Sequence, residues 1–237
     1  MTRLSVNINK IALLRNARGS DIPDLIQFAR DCESFGAQGI TVHPRPDERH
    51  IRRSDVYELK KVVTTEFNIE GYPSDDFIKM VSEVRPDQCT LVPDKPGQLT
   101  SDRGWDTVKN NTWLTDIISS LKQAGIRVSL FIDPVNTQLD GAKKTGADRI
   151  EFYTGPYAHD FHRDKNAAIK DFAAAAQYCN QIKLGINAGH DLNLDNLKFF
   201  KQHIPGLLEV SIGHALVRDC LYYGLENTLQ LYRRQLE

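Results

Sequence analysis

Short β-rich runs alternate with longer amphipathic stretches along the chain. Eight runs are rich in Val, Ile, Leu, Phe or Tyr, as buried parallel strands are. They span residues 3–9, 39–44, 67–72, 88–93, 127–133, 149–154, 183–189 and 207–213. Between them, apolar residues recur at helical spacing. The pattern predicts eight strand–helix units.

Five of the intervening stretches carry clear helix boundaries. They span 21–36, 54–63, 74–86, 113–125 and 137–146. Acidic residues or Ser open three of them, and Pro86 closes the stretch that begins at Ser74. Gly36, Gly125 and Gly146 each stand just before a predicted strand. A glycine in this place is the usual C-terminal cap that turns a helix back toward the sheet.

Eight such units in this length favour a closed (β/α)₈ barrel, a TIM barrel, as a single domain over residues 1–237. A doubly wound open sheet is the main alternative, although it usually has fewer strands.

Composition narrows the class of protein. With 237 residues, a formal net charge of −1 and 26% charged residues, the chain reads as an ordinary soluble domain with no electrostatic reason to bind nucleic acid. No apolar run approaches the ~20 residues of a membrane span, and no signal-peptide pattern opens the chain. Four widely spaced cysteines lack any CxxC pair, which indicates reduced thiols in a cytoplasmic protein without a disulfide framework or zinc site.

In a barrel of this kind, the active site lies at the carboxyl ends of the strands. We expect the strands themselves to be apolar throughout, so that Glu70 and Glu151 stand out as carboxylates within apolar runs. A buried carboxylate is costly unless it is paired or functional. A salt bridge to a neighbouring Lys or Arg is the alternative explanation for either residue alone.

His43, Glu70 and His190 together predict a proton-transfer set at these strand ends. Imidazole gives and takes protons near neutral pH. A carboxylate in a partly apolar mouth has a raised pKa and can share that work. His43 alone would be an ordinary strand-end histidine.

Two places in the sequence predict anion binding. "INAGHD" and "SIGHAL" put Gly-His after the seventh and eighth strands, where barrels of this kind bind phosphate at a helix N-terminus. Arg18, Arg45 and His50 suggest a second anion site. A tight turn and a solvated surface loop are the respective alternatives. Two phosphate sites around acid–base groups imply a reaction that joins or splits two phosphorylated molecules.

Seven motifs, in order along nearly the whole chain, resemble the pyridoxine 5′-phosphate synthase family. They are "VNINKIALLRNARG", "ITVHPRPDERHI", "FNIEG", "LVPDK", "VSLFID", "INAGHDLN" and "SIGHAL". The resemblance implies a (β/α)₈ barrel that condenses 3-amino-2-oxopropyl phosphate with 1-deoxy-D-xylulose 5-phosphate. It also implies that no metal or organic cofactor is needed, and that the chains assemble into a homo-octamer built from dimers.

The resemblance also implies roles for individual residues. His43 and Glu70 would be proton acceptors, His190 the proton donor, and Glu151 the group that stabilises the transition state. Contacts to the amino-ketone phosphate and to the sugar phosphate would come from a further set: Asn7, Arg18, Arg45, His50, Thr100, Gly213 and His214.

Three positions depart from the commoner family motifs. Asn9 and Lys10 stand where the commoner first motif has Asp-His, and Asp191 stands where the commoner "NAGHGL" has glycine. We expect Asn9 to bond a sugar hydroxyl, Lys10 to attract phosphate, and the backbone N–H of Asp191 to serve a phosphate. The departures bear on substrate affinity more than on reaction class.

Two other functions fit parts of the sequence. An isomerase or aldolase would act on one phosphorylated substrate, and Lys95 is the nearest candidate for a Schiff-base lysine. A non-catalytic relative would only bind a phosphorylated ligand, but it would not need the acid–base residues. We interpret His159 and His162 as surface residues and not metal ligands. The Gly- and Pro-containing loop 93–106 is a candidate lid over the substrate, or a plain surface loop.

Overall fold

The computed structural model describes residues 1–94, 97–98 and 100–237. Eight parallel strands form a closed barrel in chain order, with the last strand paired to the first. The strands are β1 Arg3–Asn7, β2 Gly39–Val42, β3 Glu66–Gly71, β4 Gln88–Leu91, β5 Arg127–Ile132, β6 Arg149–Tyr153, β7 Gly185–Gly189 and β8 Leu207–Ile212. The predicted (β/α)₈ barrel is confirmed, and the open sheet is wrong because a closed barrel has no edge strand.

Eleven helices surround the barrel in the part of the chain that the structure describes. They are α1 Asn9–Arg18, α2 Leu25–Ser34, α3 Arg53–Val62, α4 Asp75–Val84, α5 Asn111–Gln123, α6 Asn136–Lys144, α7 Gly155–Asp160, α8 Lys165–Gln181, α9 Leu197–His203, α10 His214–Tyr223 and α11 Leu225–Leu236. All five helices predicted with boundaries are present. The first of these five, predicted over 21–36, is α2; it begins later than predicted because Asp24 caps it by accepting from the N–H groups of Ile26 and Gln27.

The strands alternate and are not apolar throughout, so that expectation was wrong. In β1, Leu4 and Val6 are fully buried against the helices, whereas Ser5 bonds to Thr41 of β2 inside the barrel. Successive side chains of a strand point to opposite faces, so every second residue faces the lumen. The apolar set that the sequence displays is therefore the outer face of the sheet.

Hydrogen bonds between side chains fill the lumen. The hydroxyls of Ser5 and Thr41 lie 2.7 Å apart, and Thr90 donates to Asn68 over 3.0 Å. Asn187 of β7 reaches across the barrel to Gln88 of β4 over 3.4 Å. These bonds satisfy polar groups that would otherwise be costly to bury.

An ionic cluster closes the lumen at the amino ends of the strands. Glu66 contacts Arg127, lies 3.0 Å from Arg3 and lies 3.8 Å from Arg149. Burial, followed by the charge of Glu66, raises the pKa of Glu209 to about 8. Glu209 therefore carries a proton at neutral pH, deep inside the barrel.

The cysteines and two surface histidines are placed as the sequence predicted. None of the four cysteines is in a disulfide; three are buried, and Cys220 is half-buried. His159 and His162 are exposed, although His159 lies in α7 and not in a loop. Among the described residues, no helix has the length and apolar character needed to cross a membrane.

Glu209→Gln tests the buried acid. The unfolded-state pKa is near 4.5 and the folded one near 8, so this carboxyl destabilises the fold increasingly as pH rises between those values. The variant should gain stability over the parent by at least about 1 kcal/mol between about pH 5 and about pH 9, because one pKa unit corresponds to about 1.4 kcal/mol. Urea unfolding at both pH values measures it.

Glu226→Gln, on the exposed surface of α11, is the matched control and should differ from the parent equally at both pH values. A stability difference for Glu209→Gln that does not change with pH would contradict the buried-acid assignment.

Candidate active site

The ends of β1 and β2 are joined by the first sequence motif. The N–H of His43 donates to Oδ1 of Asn9 over 2.9 Å, and the N–H of Asn9 donates to Oδ1 of Asn7 over 3.1 Å. Asn9 is the first residue of α1, so the strand predicted to reach residue 9 ends two residues earlier. The Asn9 oxygen thus holds the backbone of His43, and its bond to a sugar hydroxyl stays a prediction.

His43 and Glu70 form a buried pair at the mouth. Nδ1 of His43 lies 3.8 Å from Oε2 of Glu70. Burial, then the charge of Arg45, lowers the pKa of His43 well below its usual value. Burial, then the charge of Asp94, raises the pKa of Glu70 to about 8. At neutral pH the imidazole is therefore unprotonated, and the carboxyl beside it holds its proton. A water molecule or a small side-chain movement would connect the two groups for proton transfer.

Glu151 lies opposite this pair, on β6. Burial raises the pKa of its carboxyl well above the usual range, and the charge of Glu70 adds to the effect. A methyl group on Gly189 of the neighbouring strand β7 would overlap with Oε1 of Glu151. The glycine of the "INAGHD" motif therefore leaves the space in which this carboxyl sits.

The loop after β2 forms a basic side of the mouth. Nδ1 of His50 accepts the N–H of Ile51 over 2.9 Å, so the neutral imidazole carries its proton on Nε2. Burial, then the charges of Arg45, Arg49 and Lys10, lowers the pKa of His50 to about 4. Several cations thus converge where the sequence predicted Arg45, His50 and Lys10 to bind phosphate.

Helix α1 holds this loop in place through residues that the sequence reasoning missed. Arg15 pairs with both oxygens of Asp55 over 2.7 and 2.8 Å, and both residues are buried. Asn16 donates to the carbonyl of His50 over 2.7 Å. Arg15 and Asn16 belong to the motif "LLRNARG", but nothing local in it shows that they face the loop 48–52.

His190 lies between two polar partners at the end of β7. Its Nδ1 is 2.7 Å from Oδ2 of Asp191, and its Nε2 is 3.0 Å from Oγ1 of Thr100. The hydrogen bond with His190 lowers the pKa of Asp191 despite burial, so the carboxylate is charged. The edge of the His190 ring also meets Tyr153 at 5.1 Å between centroids.

The backbone explains why Asp191 is tolerated in place of the commoner glycine. His190 and Asp191 both have positive φ, 83° and 61°. Asp is among the few side chains that adopt this left-handed conformation readily. The departure therefore keeps the turn and adds a carboxylate beside His190.

The start of α10 is the other place where the sequence predicted anion binding. Gly213 caps the helix, and His214 is its first residue. A Cβ on Gly213 would lie 3.1 Å from the Cβ of Asn7, so β1 and this turn are in close contact. His214 is exposed and directly follows the turn after β8. Free N–H groups and the helix dipole favour an anion here.

Comparison with known proteins now identifies the family. The model of a family described as pyridoxal phosphate biosynthesis protein PdxJ matches residues 4–237. A Cytophaga hutchinsonii protein named pyridoxine 5′-phosphate synthase is 62% identical over 237 residues, the whole of both chains. A Porphyromonas gingivalis protein of the same name is 58% identical over 236 residues, 100% of this chain and 99% of that one.

The chain belongs to this family.

Solved structures of other enzymes share the barrel. A 3-keto-L-gulonate-6-phosphate decarboxylase from Vibrio cholerae has a TM-score of 0.67 at 9% identity, covering 99% of this chain and 97% of that one. A thiamine phosphate pyrophosphorylase from Pyrococcus furiosus has a TM-score of 0.64 at 13% identity, covering 99% and 95%. At such identities the likeness shows the fold alone.

One predicted candidate lies apart from the other site residues, and another lies outside the described residues. Arg18 is exposed at the end of α1, and no described hydrogen bond or ion pair joins it to the other site residues. Lys95 lies outside the described residues, as do two more positions of the loop 93–106. The roles of Arg18 and of that loop as a lid stay predictions.

Gly189→Ala tests the space beside Glu151. The added methyl group should displace the carboxyl and cost about 1–3 kcal/mol of stability, as overpacking does. Thermal unfolding measures the loss. In a Glu151→Ala background the same change should cost much less, because the obstructing group is gone. An equal cost in both backgrounds would contradict the contact.

The ring of His50 should titrate near pH 4 with its proton on Nε2 at neutral pH. Arg45→Gln should raise that midpoint, because the Arg45 charge is the largest electrostatic cause after burial. Nitrogen-15 NMR of the imidazoles measures both. A midpoint that stays in place in the variant would show that Arg45 does not face His50.

Proposed function

We propose that this protein is a pyridoxine 5′-phosphate synthase. As a transferase, it would condense 3-amino-2-oxopropyl phosphate with 1-deoxy-D-xylulose 5-phosphate to give pyridoxine 5′-phosphate, inorganic phosphate and two waters. Family membership supports the reaction class. The observation that carries the proposal is the set of buried acid–base groups, His43, Glu70 and Glu151, between two anion-binding sides of one mouth.

The two sides suit substrates that each carry a phosphate. We assign the sugar phosphate to Arg45 and His50, with Thr100 and Lys10 nearby, because cations converge on that side. The amino-ketone phosphate goes to Gly213 and His214, where a helix N-terminus offers unpaired N–H groups. This arrangement would hold the reacting ends of both substrates over the lumen.

Joining these substrates needs an imine, an aldol-type carbon–carbon bond, cleavage of one carbon–oxygen bond to release inorganic phosphate, and the loss of two waters. Each step moves protons on or off carbon, nitrogen or oxygen, which suits several groups with different proton affinities. His43 is neutral and can accept at once. His190, oriented by the charged Asp191, would be the proton donor. Glu151, opposite, would stabilise the charge that develops in the transition state.

Glu70 is assigned as a second proton acceptor. Its pKa near 8 means that most of the free protein holds the proton there at neutral pH. A base poised slightly above the working pH is a strong acceptor once it is deprotonated. The scheme uses no metal or organic cofactor, since every step is a proton transfer, a condensation or an elimination of phosphate or water.

We also propose that the chain self-associates into a homo-octamer built from dimers. Large apolar side chains are exposed on α1 and α10, two helices in contact with each other: Leu13, Leu14, Leu221, Tyr222 and Tyr223. Exposed apolar patches of this kind commonly mark contacts between protein chains. Sedimentation velocity of the purified protein tests the assembly, and a monomer at micromolar concentration would contradict it.

Purified, metal-free protein given both phosphates should form pyridoxine 5′-phosphate and inorganic phosphate in equal amounts. His43→Ala and Glu70→Gln should each lose at least about 100-fold in kcat, the usual contribution of a positioned acid or base. His203→Gln, an exposed histidine at the end of α9, is the matched control and should keep full activity. Folded protein that binds either phosphate yet forms neither product would contradict the proposal.

The acceptor role of Glu70 makes a prediction about pH. The deprotonated form must accumulate, so kcat/KM should rise with pH through a limb centred near 8. Initial rates at limiting sugar phosphate across the pH range measure this limb. A kcat/KM that falls through the same range would make Glu70 a proton donor instead.

A further inference from the structure

Asp94, just after β4, connects three parts of the mouth. Its Oδ2 accepts from Nη2 of Arg45 over 2.7 Å and from Oγ of Ser101 over 2.7 Å. After burial, the charge of Asp94 is the main cause that raises the pKa of Glu70. Asp94 is only 3% exposed, and its Oδ1 has no hydrogen-bond partner among the described residues.

A purely structural ion pair does not account for this arrangement. A fold gains little from a buried pair, because desolvation offsets most of the attraction. Here two donors share one oxygen, while the other is buried and has no partner among the residues that the structure describes. An unsatisfied buried acceptor costs about 1–3 kcal/mol. Such a cost is typical of functional sites, where a group is kept ready for a ligand or for a neighbouring charge.

We propose that Asp94 is a further functional residue of this site, a positioning residue that fixes the guanidinium of Arg45 and joins it to Glu70 and Ser101. The proposal rests on the proposed function, because Arg45 binds the sugar phosphate in that scheme. The bond to Nη2 leaves the rest of the guanidinium fork to meet a phosphate, while the bond to Ser101 ties the segment 100–104 to the same oxygen.

The segment 100–104 is itself attached to the strand ends on either side. Trp105, directly after this segment, donates its indole N–H to the carbonyl of Leu91 over 2.9 Å. Gly104 donates its N–H to Asp133 over 3.0 Å, and a methyl group there would collide with the backbone of Ile132. Asp94 therefore connects the segment 100–104 to Arg45, and its charge acts on Glu70.

The charges around Glu70 decide how Asp94 acts on it. Asp94 from β4 raises the pKa of Glu70, and Arg45 from the loop after β2 lowers it. His43, just after β2, lies 3.8 Å from Glu70, and burial lowers the pKa of its imidazole. Burial raises the pKa of Glu151 of β6, so the neutral form of each group is favoured. Asp94 is thus the negative charge that acts on Glu70 at neutral pH. Without it, Arg45 would act on Glu70 unopposed.

Asp94→Asn tests the proposal, because it keeps the shape and removes the charge. The Glu70 pKa should fall by roughly one unit, the lower end of the effect of a nearby like charge. The rising limb of kcat/KM should move to lower pH by the same amount. Carbon-13 NMR of glutamate-labelled protein gives the Glu70 midpoint directly, with Glu70→Gln identifying the resonance.

Two other variants separate positioning from general damage. Ser101→Ala removes a donor to Asp94 but no charge, so it should raise KM for the sugar phosphate and leave the pH limb in place. Asp171→Asn removes a carboxylate from the exposed surface of α8 and should change neither quantity. If Ser101→Ala moved the rising limb of kcat/KM as far as Asp94→Asn does, the charge of Asp94 would not be the cause of the shift.

The NMR measurement keeps this inference apart from the proposed function. A Glu70 midpoint that falls in Asp94→Asn supports the coupling, even if the parent protein fails to make pyridoxine 5′-phosphate. A midpoint that is unchanged in folded Asp94→Asn overturns the coupling, even if the parent is an active synthase. Should Asp94→Asn not fold, Arg45→Gln replaces it. The loss of the cation should raise the Glu70 midpoint. An unchanged midpoint would overturn the coupling of Glu70 to the Arg45–Asp94 pair.

Discussion

Pairing of β1 with β8 is the constraint on which the site depends. It closes the sheet with Val6 opposite Ile212, and it places Asn7 against the turn at Gly213. Because all eight strands are parallel, their carboxyl ends then meet in one ring. Residues more than two hundred positions apart in the chain become neighbours, so the acid–base groups and both proposed anion-binding sides share one mouth. An open sheet would separate the first strand from the last.

Closure also creates a lumen, and its polar lining sets the proton affinities of the site. Glu70, Glu151 and Glu209 all face it, and burial is the first cause of the raised pKa of each carboxyl. Water solvates such a group poorly there, so the neutral form is favoured. The same burial acts in the opposite direction on His43, whose neutral form is the basic one. Burial thus favours both the unprotonated imidazole of His43 and the protonated forms of the three carboxyls.

A second group of contacts fixes where the functional side chains stand. Asn9 holds the backbone of His43, and Arg15 with Asp55 holds the loop that carries His50. These residues lie beneath the mouth and bond to backbone or to each other. The Asn9 departure from the commoner motif is explained by this role, because an amide oxygen accepts the N–H of His43 as a carboxylate would. Asp191, in turn, adds a charged partner to His190.

The sequence by itself determined the order and type of the strands, the barrel and the family, because each strand carries a local apolar pattern and each motif is contiguous. It also indicated His43, Glu70 and His190, since strand ends are visible along the chain. Only the tertiary structure decided which way each strand residue faces. The alternation in β1 and the polar lumen were missed because an apolar run shows its outer face alone. The partners of Asp94 and Arg15 were invisible for a related reason: they come from other strands and helices, and a sequence does not show which charges burial will bring together.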